Sequence, residues 1–176
     1  SDVHAVIDWF GPTDLLRFDD CPKIKRKKRN EDPRNAFIGG PIQKNKIITQ
    51  MANPITYLNS KTPPFLIFHG AKDTSVPVCQ SEILHNALIS KGLSTRLIIE
   101  EDGVHSGTEK KMFSQKNLDI MTEFIFDQFR AGTHIHPEIG ITILQKNLFL
   151  GAPLGLVLNL IMEVPATKLV ITFENG

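Results

Sequence analysis

Apolar residues along the chain gather in short runs set off by turn-forming residues, and two spacings alternate. Residues 3–8 and 64–68 are mostly apolar, and 95–99 reads Thr-Arg-Leu-Ile-Ile. Such runs, bounded by Gly, Pro and Asp, suit strands covered on both faces. Between the second and third runs, residues 77–91 carry Ile83, Leu84, Ala87 and Leu88 at helical spacing. Pro77 fits a first-turn position, Ser75 lies close enough to cap, and Gly92 is placed to end the helix. A last helix is predicted over roughly 109–130, with Leu118, Met121, Phe124, Ile125, Gln128 and Phe129 on its inward stripe. Strand, helix, strand, helix at these lengths predicts βαβ units, hence an α/β fold with a parallel sheet and helices on its faces.

Two stretches break this rhythm. Residues 13–62 hold Pro22, Pro33, Pro41 and Pro54 and one dense basic run, and are expected to be a connecting excursion with at most short helices. After Gly132 the character changes: 132–140 reads as a linker, and 141–176 as a β-rich tail forming part of a second module. The first module is then 1–131. The apolar stretch 148–162 is shorter than the ~20 residues a membrane helix needs and contains Gly151, Pro153, Gly155 and Asn159. No membrane partner is expected.

Composition narrows the function classes. The chain has 176 residues, 41% hydrophobic and 22% charged, with a net charge of +1. That is ordinary for a globular protein and supplies no overall field toward nucleic acid. The run 23–29 holds six basic residues in seven, but no aromatic residues interleave with it and no nucleic-acid module accompanies it. It reads as a solvated insertion, and no nucleic-acid partner is expected. Cys21 and Cys79 do not make a disulfide framework, and their redox state is open at this stage. No His/Cys/Asp cluster has ligand spacing, so neither metal nor cofactor is expected.

Candidate chemistry lies in two loops. In open α/β sheets, ligands sit beyond the carboxyl ends of the strands. Asp73 follows the strand ending at Phe68, and His105 follows the strand ending near Glu100. An acid from one strand end and a histidine from the next could meet there. The carboxylate would hold the imidazole Nδ1–H and leave Nε2 to take a proton from a nucleophile. His69 is expected to pack at the strand end beneath Asp73. Asp8 and Asp14 are expected to support loops by hydrogen bonds. Trp9 and Phe10 are candidates to line a substrate cleft, with simple core packing as the alternative.

Several segments in order carry a resemblance: 5–14 (Ala-Val-Ile-Asp-Trp-Phe-Gly-Pro-Thr-Asp), 37–42 (Phe-Ile-Gly-Gly-Pro-Ile), 52–57 (Ala-Asn-Pro-Ile-Thr-Tyr) and 62–77, with His69-Gly-Ala-Lys-Asp73-Thr-Ser-Val-Pro77. They resemble the later part of α/β-hydrolase esterases and lipases related to feruloyl and acetylxylan esterases, and more distantly the prolyl oligopeptidase family. The match covers about residues 3–130. The resemblance implies the C-terminal half of an α/β-hydrolase sheet, with Asp73 as triad acid and His105 as triad base. It implies a serine nucleophile acting through an acyl-enzyme on small acyl or carbohydrate esters. An amide or peptide hydrolase of the same fold, or a non-catalytic remnant, are the other readings. In this fold the chain order is Ser, then Asp or Glu, then His. None of Ser60, Ser75, Ser81, Ser90, Ser94, Ser106 or Ser114 stands in Gly-x-Ser-x-Gly, so the nucleophile and oxyanion hole are expected upstream and this chain alone is expected to be inactive. The tail 165–176 faintly resembles the start of a β-sandwich sorting domain of type IX secretion, implying export to the periplasm or beyond.

Overall fold

The computed structural model describes residues 3–22, 32–105, 111–132, 161–164 and 167–170. The basic run 23–29, Ser106, Gly107 and most of the tail lie outside these residues. The chain divides into two compact units, Ser1–Phe129 and Arg130–Gly176.

The first unit is built on three parallel strands, β1 (Val6–Trp9), β2 (Phe65–Gly70) and β3 (Thr95–Glu100), in the spatial order β1-β2-β3. Val6 pairs with Phe65 and Trp9 with Phe68; Phe65 pairs with Thr95 and Gly70 with Glu100. The central strand carries the densest apolar run, and Leu66, Ile67 and Phe68 are fully buried. Burial on both faces explains the absence of polar alternation in that run. Strand bounds differ from the sequence reading: β1 starts at Val6, not at residue 3, β2 starts at Phe65, one residue late, and both run further at their carboxyl ends. Trp9 belongs to β1, since its partner Phe68 extends the ladder. β2 continues through His69 and Gly70, which pair with Ile99 and Glu100.

Helix α3 (Cys79–Ser90) crosses between β2 and β3 and presses Leu84 and Leu88 onto Leu58 and Ile67. It ends as expected: Gly92 has φ +67°, and the Leu93 amide donates back to the Leu88 carbonyl at 3.0 Å. Its start does not follow expectation. Ser75 makes no cap, because its own amide is drawn to the Asp73 carboxylate and the chain turns once more before α3 begins. Helix α4 (Gln115–Gly132) buries Met121 and Ile125 from the predicted stripe; the Phe129 side chain lies outside the described residues. It begins six residues later than the apolar pattern alone suggested. The Ser114 hydroxyl accepts from the Asn117 amide at 3.3 Å, and the Ser114 carbonyl from Leu118 at 3.0 Å. Ser114 therefore sits where an N-cap residue does.

The excursion between β1 and β2 is, as its prolines predict, a set of short pieces. α1 (Pro33–Ile38) and α2 (Lys46–Met51) alternate with 3-10 turns at Leu15–Asp20, Ile42–Lys44 and Pro54–Tyr57. Leu15, Phe18, Ile38 and Ile42 form its small core with Val76, which lies just past β2. In the second unit, β4 (Ile161–Val164) and β5 (Thr167–Val170) pair antiparallel as a hairpin. Among the described residues, no helix is long and apolar enough to cross a membrane.

Candidate active site

The carboxyl ends of β2 and β3 open into two tight turns that are hydrogen-bonded to each other. The Ala71 amide donates to the Glu100 carbonyl at 2.8 Å, and the Lys72 amide to the Gly103 carbonyl at 2.9 Å. A Cβ on Gly70 would lie 2.7 Å from the Val104 nitrogen and closer still to the Gly103 carbonyl group. A Cβ on Gly103 would lie 2.9 Å from the Gly70 Cα and would strike the Met112 sulfur. Two glycines thus let the turns approach, and the approach brings Asp73 and His105 together.

Asp73 Oδ2 accepts from His105 Nδ1 at 2.7 Å. Asp73 is fully buried, while the His105 side chain is a quarter exposed. The other carboxylate oxygen, Oδ1, accepts from the amides of Ser75 and Val76, each at 2.8 Å. Burial pushes the Asp73 carboxyl up. The hydrogen bonds from His105 and His69, the positive charge available on His105 and the Val76 amide outweigh it, and the group is held below its ordinary value. The result is a carboxylate locked in place at the base of an imidazole.

Beneath Asp73, His69 is fully buried. Its Nε2 lies 2.9 Å from the Val76 carbonyl and 3.3 Å from Asp73 Oδ2, and its Nδ1 lies 2.6 Å from the Ser81 hydroxyl. The expected place at the strand end is the one it occupies. Asp8 accepts from the Gly11 amide at 3.0 Å, and Asp14 from the amides of Leu16 and Arg17, so both support loops. Burial raises the Asp8 carboxyl above its ordinary value, against the opposing pull of the Gly11 amide and of His69.

The two aromatic candidates part company. Trp9 is packed between rings, stacked at 4.1 Å on Phe68 and at 4.4 Å on Phe113. Phe10 sits edge-on to the His105 ring, with centroids 4.7 Å apart. It does so with φ at +49°, a conformation rare for a bulky residue and found where surrounding structure over-determines it. Its amide donates to the Phe68 carbonyl at 2.7 Å, which fixes the turn.

Sequence reasoning missed two residues that brace this floor. Gln80, fully buried in the first turn of α3, accepts through Oε1 from the amides of Thr13 and Asp14 at 3.0 and 2.8 Å. Beside it, Cys79 forms a disulfide with Cys21, their Cα atoms 5.9 Å apart. The start of α3 therefore ties down the segment that follows Phe10. The pair of cysteines was a visible signal; a lone glutamine in an amphipathic helix was not. Among the described residues, no group of three His, Cys, Asp or Glu could hold a metal ion.

The BD-FAE family model matches residues 1–88. The chain belongs to the BD-FAE family. This BD-FAE chain is 38% identical over 104 residues to esterase LipQ of Mycobacterium tuberculosis, covering 58% of this chain and 24% of that protein. Among solved structures, it is similar to a bifunctional GH43-CE protein of Bacteroides eggerthii, with 35% identity and a TM-score of 0.62, covering 72% of this chain and 16% of that one. It is also similar to a truncated carbohydrate esterase from gut microbiota, with 29% identity and a TM-score of 0.61, covering 72% and 42%. A 20% identical esterase of Thermogutta terrifontis, at a TM-score of 0.50 over 71% of this chain and 44% of that one, shares the fold. The architecture is that of the α/β-hydrolase esterases. The BD-FAE chain spans less than half the length of each of these proteins.

Proposed function

We propose that this chain supplies the acid and the base of a serine-type carboxylic-ester hydrolase. The observation that carries the reading is the 2.7 Å bond between Asp73 Oδ2 and His105 Nδ1 at the carboxyl edge of a parallel sheet. With Nδ1–H engaged, Nε2 is the nitrogen that takes a proton. It would accept one from a serine hydroxyl as that oxygen attacks the ester carbonyl, then return it to the leaving alcohol. Asp73 orients the ring and stabilises the imidazolium without itself taking the proton. The deacylation step repeats the cycle, with water in place of the serine. Phe10 flanks the histidine and is the aromatic residue best placed to line the substrate cleft, whereas Trp9 is taken up in packing against Phe68 and Phe113.

The nucleophile and the oxyanion-hole amides belong upstream in this chain order, and the 176 residues alone are expected to be inactive. The substrates proposed are small acyl or carbohydrate esters, because one similar solved structure is named a carbohydrate esterase. A secreted or periplasmic location is proposed with it: a disulfide between Cys21 and Cys79 persists in an oxidising compartment. The test is hydrolysis of an activated aryl acetate by the full-length gene product. Turnover that falls by about a thousandfold or more in His105→Ala is the expected result. Turnover indifferent to His105→Ala, or full activity from the 176 residues alone, would overturn the reading.

A further inference from the structure

The mechanism above uses one imidazole, yet two face Asp73. Nε2 of His69 is placed toward the Val76 carbonyl at 2.9 Å and Asp73 Oδ2 at 3.3 Å. A carbonyl oxygen only accepts, so Nε2 carries the proton there. In the neutral ring Nδ1 is then an acceptor, and the Ser81 hydroxyl, 2.6 Å away, donates to it. Ser81, His69 and Asp73 are all fully buried, so water does not compete for these bonds. The other carboxylate facing this ring is Asp8 of β1. Asp73 thus receives two backbone N–H groups on Oδ1 and the His105 Nδ1–H on Oδ2, while the His69 Nε2–H, bonded to the Val76 carbonyl, lies 3.3 Å from the same Oδ2. Val76 closes the loop by donating its amide to Asp73 and accepting from His69 with its carbonyl.

We propose that His69, its tautomer fixed by Ser81, is a positioning residue for the Asp73–His105 pair. The juxtaposition of Ser81, His69 and Asp73 holds Oδ2 turned toward His105 and shares its charge. This rests on the reading of Asp73 and His105 as acid and base, and acts through Asp73 without touching substrate. Ser81 is a hydroxyl on α3 and His69 lies on β2, so the arrangement also links the crossover helix to the pair.

The test is proton NMR of the chain. An Nδ1–H of His105 donating to Asp73 gives a low-field resonance, which Asp73→Asn should remove. Ser81→Ala and His69→Leu are expected to shift that resonance, and His69→Gln, whose amide nitrogen can take the place of Nε2, to restore it. In the full-length enzyme, Ser81→Ala is expected to lower kcat roughly threefold to tenfold with KM unchanged, the signature of a reacting group held slightly out of place. Should His69→Leu fail to fold, Ser81→Ala, which deletes one hydroxyl, carries the test. A resonance and a kcat indifferent to Ser81→Ala, with Asp73→Asn still abolishing both, would overturn the positioning role and leave the acid–base pair standing. A resonance that survives Asp73→Asn would overturn the pair itself.

Discussion

Gly70 and Gly103 meet backbone to backbone where β2 and β3 leave the sheet, and that contact sets the distance between Asp73 and His105. The Gly70 Cα lies 2.9 Å from where a Cβ on Gly103 would be. Neither position has room for a methyl group, and the atoms in the way around Gly70 are main-chain atoms that cannot rotate aside.

Gly70→Ala should therefore push the two turns apart. Overpacking of this kind costs about 1–3 kcal/mol. The loss of activity is expected to exceed what the stability change accounts for, because the Asp73–His105 bond lengthens. Thermal melts and kcat/KM measured on one preparation of the full-length protein separate the two effects.

In the full-length protein, Asp73→Asn should keep the fold and lower kcat by about four orders of magnitude, since an amide can hold the ring in the wrong tautomer. It should also change the acid limb of stability. Folding holds the Asp73 carboxyl below its ordinary value, so its contribution is fully present above about pH 4 and lost as pH falls through the lowered folded value. In melts across acidic pH, the variant should lose less stability on acidification than the parent.

Asp8 has the opposite sign. Its folded value is raised, chiefly by burial, so ionising it costs stability once pH rises above its ordinary range, and the penalty is complete above the raised value. Asp8→Asn keeps an oxygen to accept from the Gly11 amide and removes the charge. It should raise Tm by a few degrees at neutral pH, and the gain should shrink toward zero in acid. A gain that is constant with pH would refute this account of Asp8.

The Cys21–Cys79 bridge joins residues 58 apart in sequence. A loop of that length corresponds to about 4 kcal/mol of loop-closure entropy removed from the unfolded chain. Cys79→Ser, or reduction of the parent, should lower the unfolding free energy by up to a comparable amount and lower Tm with it, and the reductant should have no further effect on the variant. Calorimetry with and without reductant reads both.

Much of this was legible in the sequence, for identifiable reasons. The strands β2 and β3 announce themselves because burial on both faces demands unbroken apolar runs, and Asp73 and His105 follow directly from where those runs end. Gly92 is legible because helix termination has a local backbone requirement. Ser75 was misread because its capping geometry competes with a stronger acceptor, the Asp73 carboxylate, two residues earlier. The start of α4 was misread because the apolar pattern continues upstream past Ser114, which is the residue that caps it. Gln80 was invisible, since its partners Thr13 and Asp14 lie more than sixty residues away and nothing local marks such a bond. Trp9 and Phe10, adjacent and both aromatic, diverge because Trp9 ends β1 in register with Phe68 and stacks on it, while Phe10, past the strand at positive φ, meets His105.

Half of the polar grip on Asp73 comes from main-chain amides of Ser75 and Val76, and main-chain groups do not mutate. Thr74 and Ser75 are then free to vary in side chain while the carboxylate keeps its orientation, provided neither becomes proline or loses the turn. A saturation scan across 74–76 would show wide tolerance at the first two positions with proline excluded at 75 and 76. The orientation of the Asp73 carboxylate is thus guarded by the shape of the turn, and drift at Thr74 and Ser75 can proceed without moving the charge.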